Sequence, residues 1–117
     1  MKHILFDLKE CLLPSTLDDE EYVRESLRLA AEAAECQVLS IHTHKFEPQG
    51  VTGFALLAES HLSIHTWPEK NIAKCDIFTC SDKNKPKSAL DLLKERFHAC
   101  EVTRWACDRS NGVTMVL

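Results

Sequence analysis

Four strand-like segments follow one another between residues 38 and 80, and the gaps between them are short. Residues 38–46, 52–58, 61–67 and 74–80 alternate between apolar and polar side chains or are mostly apolar, as half-buried and fully buried strands are. A parallel pair needs a crossover connection of about a dozen residues or more, so gaps this short favour hairpins. The middle of the chain is therefore predicted to form an antiparallel sheet.

Two helical patterns flank these segments. The acidic run at residues 18–21 suits the positive end of a helix dipole and opens a helix that is expected to end near Cys36. A polar loop leads into a second helix that begins near Pro86, a residue that suits a first helical turn. The apolar stripes that these helices would bury are Val23, Leu27, Ala30, Ala31 and Ala34 in the first and Leu90, Leu93 and Phe97 in the second.

The remaining elements complete the fold prediction. Strands are expected at residues 2–8, 101–107 and 113–117, with a break at Pro14-Ser15-Thr16 and a turn at Asn111-Gly112. Strands grouped together, with a helix on each side of the group, are typical of α+β proteins. The prediction for residues 1–117 is a single α+β domain, a two-layer sandwich in which an antiparallel sheet carries two helices on one face.

Composition and charge narrow the range of functions. The formal net charge of −4 argues against a nucleic-acid surface, and the sequence contains no apolar run long enough to span a membrane. The first residues reach Asp7 too early for a secretion signal. Six cysteines without a CxxC pair are expected to be reduced thiols. These features predict a cytoplasmic protein that binds neither nucleic acid nor membrane.

Reactive side chains are concentrated in residues 59–69, which read Glu-Ser-His-Leu-Ser-Ile-His-Thr-Trp-Pro-Glu. Alternation places Leu62 and Ile64 on one face of a strand and the two histidines, His61 and His65, on the other. The strand is expected to stop before Pro68, which has no N–H for a ladder hydrogen bond.

This run resembles the self-cleavage segment of the small prokaryotic S-adenosylmethionine decarboxylases, which carry a pyruvoyl cofactor. The resemblance implies a cut between Glu59 and Ser60 that gives a β chain of residues 1–59 and an α chain of residues 60–117. It also implies that Ser60 becomes the pyruvoyl group, which is the covalent cofactor, and that cleaved αβ protomers form a homodimer. The fold that the resemblance implies is the same two-layer sandwich.

Further residues take their roles from the same resemblance. His65 matches the histidine that accepts a proton during processing. Thr52 stands where the family commonly has a serine that supports processing, within Gln-Gly-Val-Thr-Gly at residues 49–53. Cys80, in Phe-Thr-Cys, matches the proton donor of the decarboxylation, and Ser81 replaces the glycine that usually follows it.

The chemistry explains why a serine is needed. Decarboxylation of an amino acid requires an electron sink, and no ordinary side chain supplies one. Attack of the Ser60 hydroxyl on the carbonyl carbon of Glu59, followed by elimination and hydrolysis, would turn Ser60 into a ketone that withdraws electrons. In a regular strand Ser60 would point away from His65, so this chemistry requires a bend between residues 59 and 61.

The substrate that the resemblance implies is S-adenosylmethionine, whose decarboxylated product is the aminopropyl donor for spermidine synthesis. Phe46 and Trp67 are expected to stack on the adenine ring, and the alternative for both is ordinary core packing. Glu69 is expected to bind ribose hydroxyls or a cationic centre of the substrate.

Three alternatives remain open. The same fold could decarboxylate arginine or ornithine, with Glu10 meeting a second substrate amine. His42 and His44 could join His61 and His65 in a metal site, although the primary prediction includes no metal. The chain could also be a partner subunit that keeps the fold without activity.

Overall fold

The strands form one antiparallel sheet in the order β2-β3-β4-β5-β1-β6-β7. The computed structural model describes residues 1–110 and the backbone of residues 114–116. The strands are β1 (Lys2–Cys11), β2 (Val38–Lys45), β3 (Val51–Leu57), β4 (Ser60–Trp67), β5 (Ile72–Thr79), β6 (Ala99–Asp108) and β7 (Thr114–Val116). The predicted antiparallel sheet is confirmed, and β1 lies between β5 and β6 although it comes first in the chain.

The helices are α1 (Pro14–Leu17), α2 (Glu20–Ala33) and α3 (Pro86–Arg96). The side chain of Asp19 caps α2 by accepting the backbone N–H of Tyr22 at 3.1 Å, so the acidic run begins a helix as expected. The helices α2 and α3 pack on one face of the sheet, which confirms the two-layer α+β architecture. The side chains buried between the layers include Phe6, Leu8, Val23, Leu27, Leu62, Ile64, Ile77, Leu93 and Phe97.

Local differences from the sequence prediction occur at element ends. The first strand ends before Pro14 as predicted, and residues Pro14–Leu17 form a short helix that was not predicted. Pro14 suits its first turn, where a missing N–H costs no helical hydrogen bond. The strand β1 continues to Cys11, and β5 already starts at Ile72. The short strand β7 lies inside the predicted last strand, whereas the predicted turn at Asn111-Gly112 falls outside the described residues.

The sheet face opposite α2 and α3, called the open face below, has no helix packed on it in the described part of the chain. Cross-strand register aligns its side chains, and apolar residues with large exposed fractions are prominent among them. These are Leu5 (43%), Phe54 (39%), Leu56 (42%) and Trp105 (38%). None of the described helices is long and apolar enough to cross a lipid bilayer.

Candidate active site

The backbone is distorted where β4 begins. Ser60 pairs with Leu57 on β3 and Thr79 on β5, so it lies inside the sheet. Its φ is +152°, a value that a residue with a side chain rarely adopts and that carries strain of about 1–3 kcal/mol. The bend required between residues 59 and 61 is therefore located at Ser60 itself.

The carbonyl group of Glu59 has a backbone donor aimed at it. The N–H of Cys80 donates a hydrogen bond to the carbonyl oxygen of Glu59 at 3.1 Å. The Glu59 carboxylate is also held, because its Oε1 accepts the N–H of Gln37 at 3.1 Å. A donor on the Glu59 carbonyl oxygen can stabilise negative charge that develops there during attack on the carbonyl carbon. The same contact places Cys80, whose side chain is exposed, beside the Glu59–Ser60 bond.

A network of polar side chains lies next to Ser60 on the open face. Asp76 on β5 accepts hydrogen bonds at Oδ2 from His61 Nε2 at 2.9 Å and from His3 Nε2 at 2.8 Å. Its other oxygen accepts the Ser63 hydroxyl. Burial would raise the Asp76 pKa, but the hydrogen bonds from Ser63, His3 and His61 outweigh it and hold the pKa below its usual value. The Asp76 carboxylate is therefore ionised at neutral pH.

Sequence reasoning missed His3 and Asp76. Each belongs to a segment that was correctly predicted as a strand, and alternation alone could have placed each on a face of its strand. Their meeting depends on β1 pairing with β5 in the register that sets His3 opposite Phe78, and a single sequence does not reveal that register.

The other end of β4 carries the residues expected to support processing and substrate binding. Thr52 Oγ1 and His65 Nδ1 are hydrogen-bonded across β3 and β4. The rings of Phe46 and Trp67 flank His65, with centroids 5.7 Å and 4.1 Å from its ring. Glu69 is exposed in the 3-10 turn Pro68–Lys70 that follows β4. Phe46 is 40% exposed, so it is not a core residue.

The candidate residues thus form two groups at opposite ends of β4. Ser60 and His65 are five residues apart on an extended strand, which corresponds to roughly 16 Å at about 3.3 Å per residue. Glu59, Ser60 and Cys80 lie together at one end. Within one chain, the group around His65 does not reach them.

The histidines of the metal alternative are not gathered in the expected combination. His42 Nε2 is 3.2 Å from Ser40 Oγ on its own strand, and His65 is bonded to Thr52. In the described residues, the three donors close enough to hold a cation are His3, His61 and Asp76, whose ligand atoms lie within 4.8 Å of one another. The hydrogen bonds to Asp76 already use these atoms.

A strained serine at the start of a central strand, with a backbone donor on the preceding carbonyl oxygen, is an arrangement that would favour attack on that carbonyl carbon. The family model described as S-adenosylmethionine decarboxylase matches residues 2–110. The chain belongs to the S-adenosylmethionine decarboxylase family.

Individual relatives agree with this assignment. The chain is 50% identical over 98 residues to an S-adenosylmethionine decarboxylase proenzyme of Prochlorococcus marinus (strain MIT 9211), a match that covers 84% of this chain and 80% of the relative. It is 44% identical over 94 residues to a protein of the same name from Methanococcus aeolicus, covering 80% of each chain. The crystal structure of the adenosylmethionine decarboxylase from Aquifex aeolicus superimposes with a TM-score of 0.85 at 36% identity, covering 97% of this chain and 91% of that one.

Proposed function

We propose that this protein is a pyruvoyl-dependent decarboxylase that cleaves itself at Glu59-Ser60 and then converts S-adenosylmethionine into the aminopropyl donor for spermidine synthesis. The observation that carries the proposal is the junction itself. Within a sequence typical of the family, Ser60 has a strained φ and the Glu59 carbonyl oxygen accepts the N–H of Cys80. Strain at Ser60 raises the energy of the intact chain and so lowers the barrier to breaking the Glu59–Ser60 peptide bond. The N–H of Cys80 stabilises the negative charge that forms on the Glu59 carbonyl oxygen during attack.

The residues present fit a pyruvoyl group at position 60. The Ser60 side chain supplies the oxygen that attacks Glu59, and its α-carbon becomes the ketone carbon after elimination and hydrolysis. Once formed, the pyruvoyl group supplies an electron-withdrawing ketone that stabilises the carbanion left when CO2 departs. Cys80 is next to this position, and its exposed thiol is the proposed donor of the proton to the substrate carbon.

The aromatic group around His65 is the proposed binding site for the adenosyl part of the substrate. Phe46 and Trp67 present ring faces that suit adenine, and a sulfonium also favours an aromatic face. Glu69 is exposed beside Trp67, where its carboxylate can accept hydrogen bonds from ribose hydroxyls.

A homodimer would unite the two groups. Since roughly 16 Å separates Ser60 from His65 in one chain, the processing role of His65 requires a second copy. A twofold interface places the same surface of both chains in contact, so the His65 end of each chain can meet the Ser60 end of the other. The exposed apolar residues of the open face, including Phe54 and Trp105, make this face suitable for such an interface.

A cytoplasmic location is part of the proposal. All six cysteines are free, and the thiols of Cys80 and Cys100 are exposed. Exposed thiols persist in a reducing compartment, and oxidation of Cys80 would remove the proposed proton donor.

Intact mass under denaturing conditions tests the proposal. We expect two fragments, residues 1–59 and residues 60–117, with the second blocked to Edman degradation because its terminal amine has become a ketone. Turnover of labelled S-adenosylmethionine, ornithine and arginine identifies the substrate, and only the first is expected to release CO2. Ser60→Ala should remain one chain without activity. An active preparation that contains only uncut chain would overturn the proposal.

A further inference from the structure

His61 is the histidine next to the hydroxyl that must react. Its Nδ1 lies 3.5 Å from Ser60 Oγ, whereas His65 is displaced by most of the length of β4. Catalytic hydrogen bonds are often long before the reacting state forms, so this distance is compatible with proton transfer. The φ of Ser60 is +152°, outside the range of a regular strand, and its Oγ lies beside the His61 ring.

Asp76 determines which nitrogen of His61 carries the proton. The carboxylate accepts a hydrogen bond from His61 Nε2 at 2.9 Å, so Nε2 is the protonated nitrogen of the neutral ring. The lone pair of Nδ1 then faces Ser60 Oγ. Hydrogen bonds from His3 and Ser63 fix the orientation of Asp76 in turn.

Two phenylalanines hold the plane of the His61 ring. Phe54 on β3 stacks on it with a centroid distance of 5.7 Å and an interplanar angle of 17°. Phe78 on β5 lies at 6.2 Å and 30°. The imidazole is thus packed by neighbours on both adjacent strands and has little freedom to turn Nδ1 away from Ser60.

We propose that His61 is the base that takes the hydroxyl proton of Ser60 in the first step of self-cleavage, and that Asp76 is its positioning residue. The inference rests on the proposed function, because it assigns a group to the acyl shift at Glu59-Ser60. His65 keeps its proposed role in the later removal of the α-proton.

The step is balanced without any co-reactant. Ser60 Oγ loses its proton to His61 Nδ1 and forms a bond to the carbonyl carbon of Glu59, while the carbonyl oxygen takes up negative charge and is held by the N–H of Cys80. The bond between that carbon and the Ser60 nitrogen then breaks, and the nitrogen receives the proton from the imidazolium. The amide has become an ester with a free amine, and His61 is neutral again.

The test measures the rate at which newly refolded precursor is cut at Glu59-Ser60. His61→Asn should slow cleavage by about 100-fold or more, the usual contribution of a general base. His98→Asn is the matched control: His98 is exposed beyond α3, and asparagine tolerates its φ of +51°. This control should cleave at the wild-type rate. Circular dichroism and thermal melting establish that both variants fold.

Chemical rescue separates a base from a merely structural histidine. Added imidazole should accelerate cleavage of His61→Ala and leave the wild type unchanged. Asp76→Asn should slow cleavage less than His61→Asn does, and Asp76→Glu should restore part of the rate because it returns a carboxylate.

The outcomes distinguish this inference from the function on which it rests. If the wild type is never cut at Glu59-Ser60, the proposed function fails and the inference fails with it. If the wild type is cut and His61→Asn is cut equally fast, the inference alone is wrong. A slow but folded His61→Ala that imidazole does not rescue would also overturn it.

Discussion

Mixing two inactive variants tests whether each active site draws on two chains. Ser60→Ala lacks the proposed nucleophile, and His65→Asn lacks the proposed processing base. If the site is shared, a dimer of one Ser60→Ala chain and one His65→Asn chain contains one complete site. That site combines Ser60 from the second chain with His65 from the first.

The structure provides the magnitude of the expected effect. Ser60 and His65 of one chain are separated by roughly 16 Å, whereas proton transfer requires contact at about 3 Å. A chain therefore cannot complement itself. If equal amounts of the two variants pair at random, about half of the His65→Asn chains occur in mixed dimers. About half of these chains should then be cut, compared with almost none for either variant alone.

The assay is coexpression of the two variants with different affinity tags, followed by intact mass of each tagged chain. Only the His65→Asn chain should yield fragments, since the other has no serine at position 60. A control coexpresses Ser60→Ala with His65→Asn that also carries Ser60→Ala, and it should give no cleavage. Absence of cleavage in mixed dimers isolated through both tags would refute the shared site.

Three further predictions address chemistry and stability. Cys80→Ala should still be cut, because the donor to the Glu59 carbonyl oxygen is a backbone N–H, but its decarboxylation rate should fall by about 100-fold or more. Cys100 has another exposed thiol, and Cys100→Ala should keep full activity in the same assay. Leu62→Ala truncates a fully buried side chain of β4 and should lower the free energy of unfolding, measured by urea denaturation, by about 2–5 kcal/mol. A change in that free energy no larger than the experimental error would contradict the burial of Leu62 in the core. The pKa of Asp76 is lower in the folded protein than its value of about 3.9 in the unfolded chain, so its carboxylate stabilises the fold at pH values above about 3.9, and this stabilisation is lost as pH falls through the folded pKa. The difference in unfolding free energy between wild type and Asp76→Asn should therefore shrink on acidification. A difference that grows instead would show that the sign is wrong.

The hairpins in the middle of the sheet were accessible from the sequence because they depend on local signals, whereas the place of β1 in the strand order was not. Alternation and short gaps at residues 38–80 predict hairpins, and the structure confirms them. The acidic residues before α2 identify its start for the same reason, since a cap acts on the nearest turn. The resemblance around Ser60 then led to the family that the comparisons confirm.

The arrangement of the site was less accessible because it depends on contacts between distant residues. His3 and Asp76 are separated by 73 positions and meet only because β1 inserts beside β5. The φ of Ser60 is a property of one junction and leaves no trace in residue type. The distance between Ser60 and His65 follows from strand geometry alone. It matters for function only if both residues act in the same reaction, because one chain then cannot bring them together.

If the chain is cut between Glu59 and Ser60 as proposed, the position of β1 has a consequence for the two pieces. Residues 1–59 contribute β1, β2 and β3, whereas residues 60–117 contribute β4 to β7, and β1 is inserted between two strands of the second piece. The two proposed pieces would therefore be interleaved within one sheet. Pulling them apart would require opening the ladders β3–β4, β1–β5 and β1–β6 together, so the nicked enzyme should persist as a single unit without any covalent link between its halves.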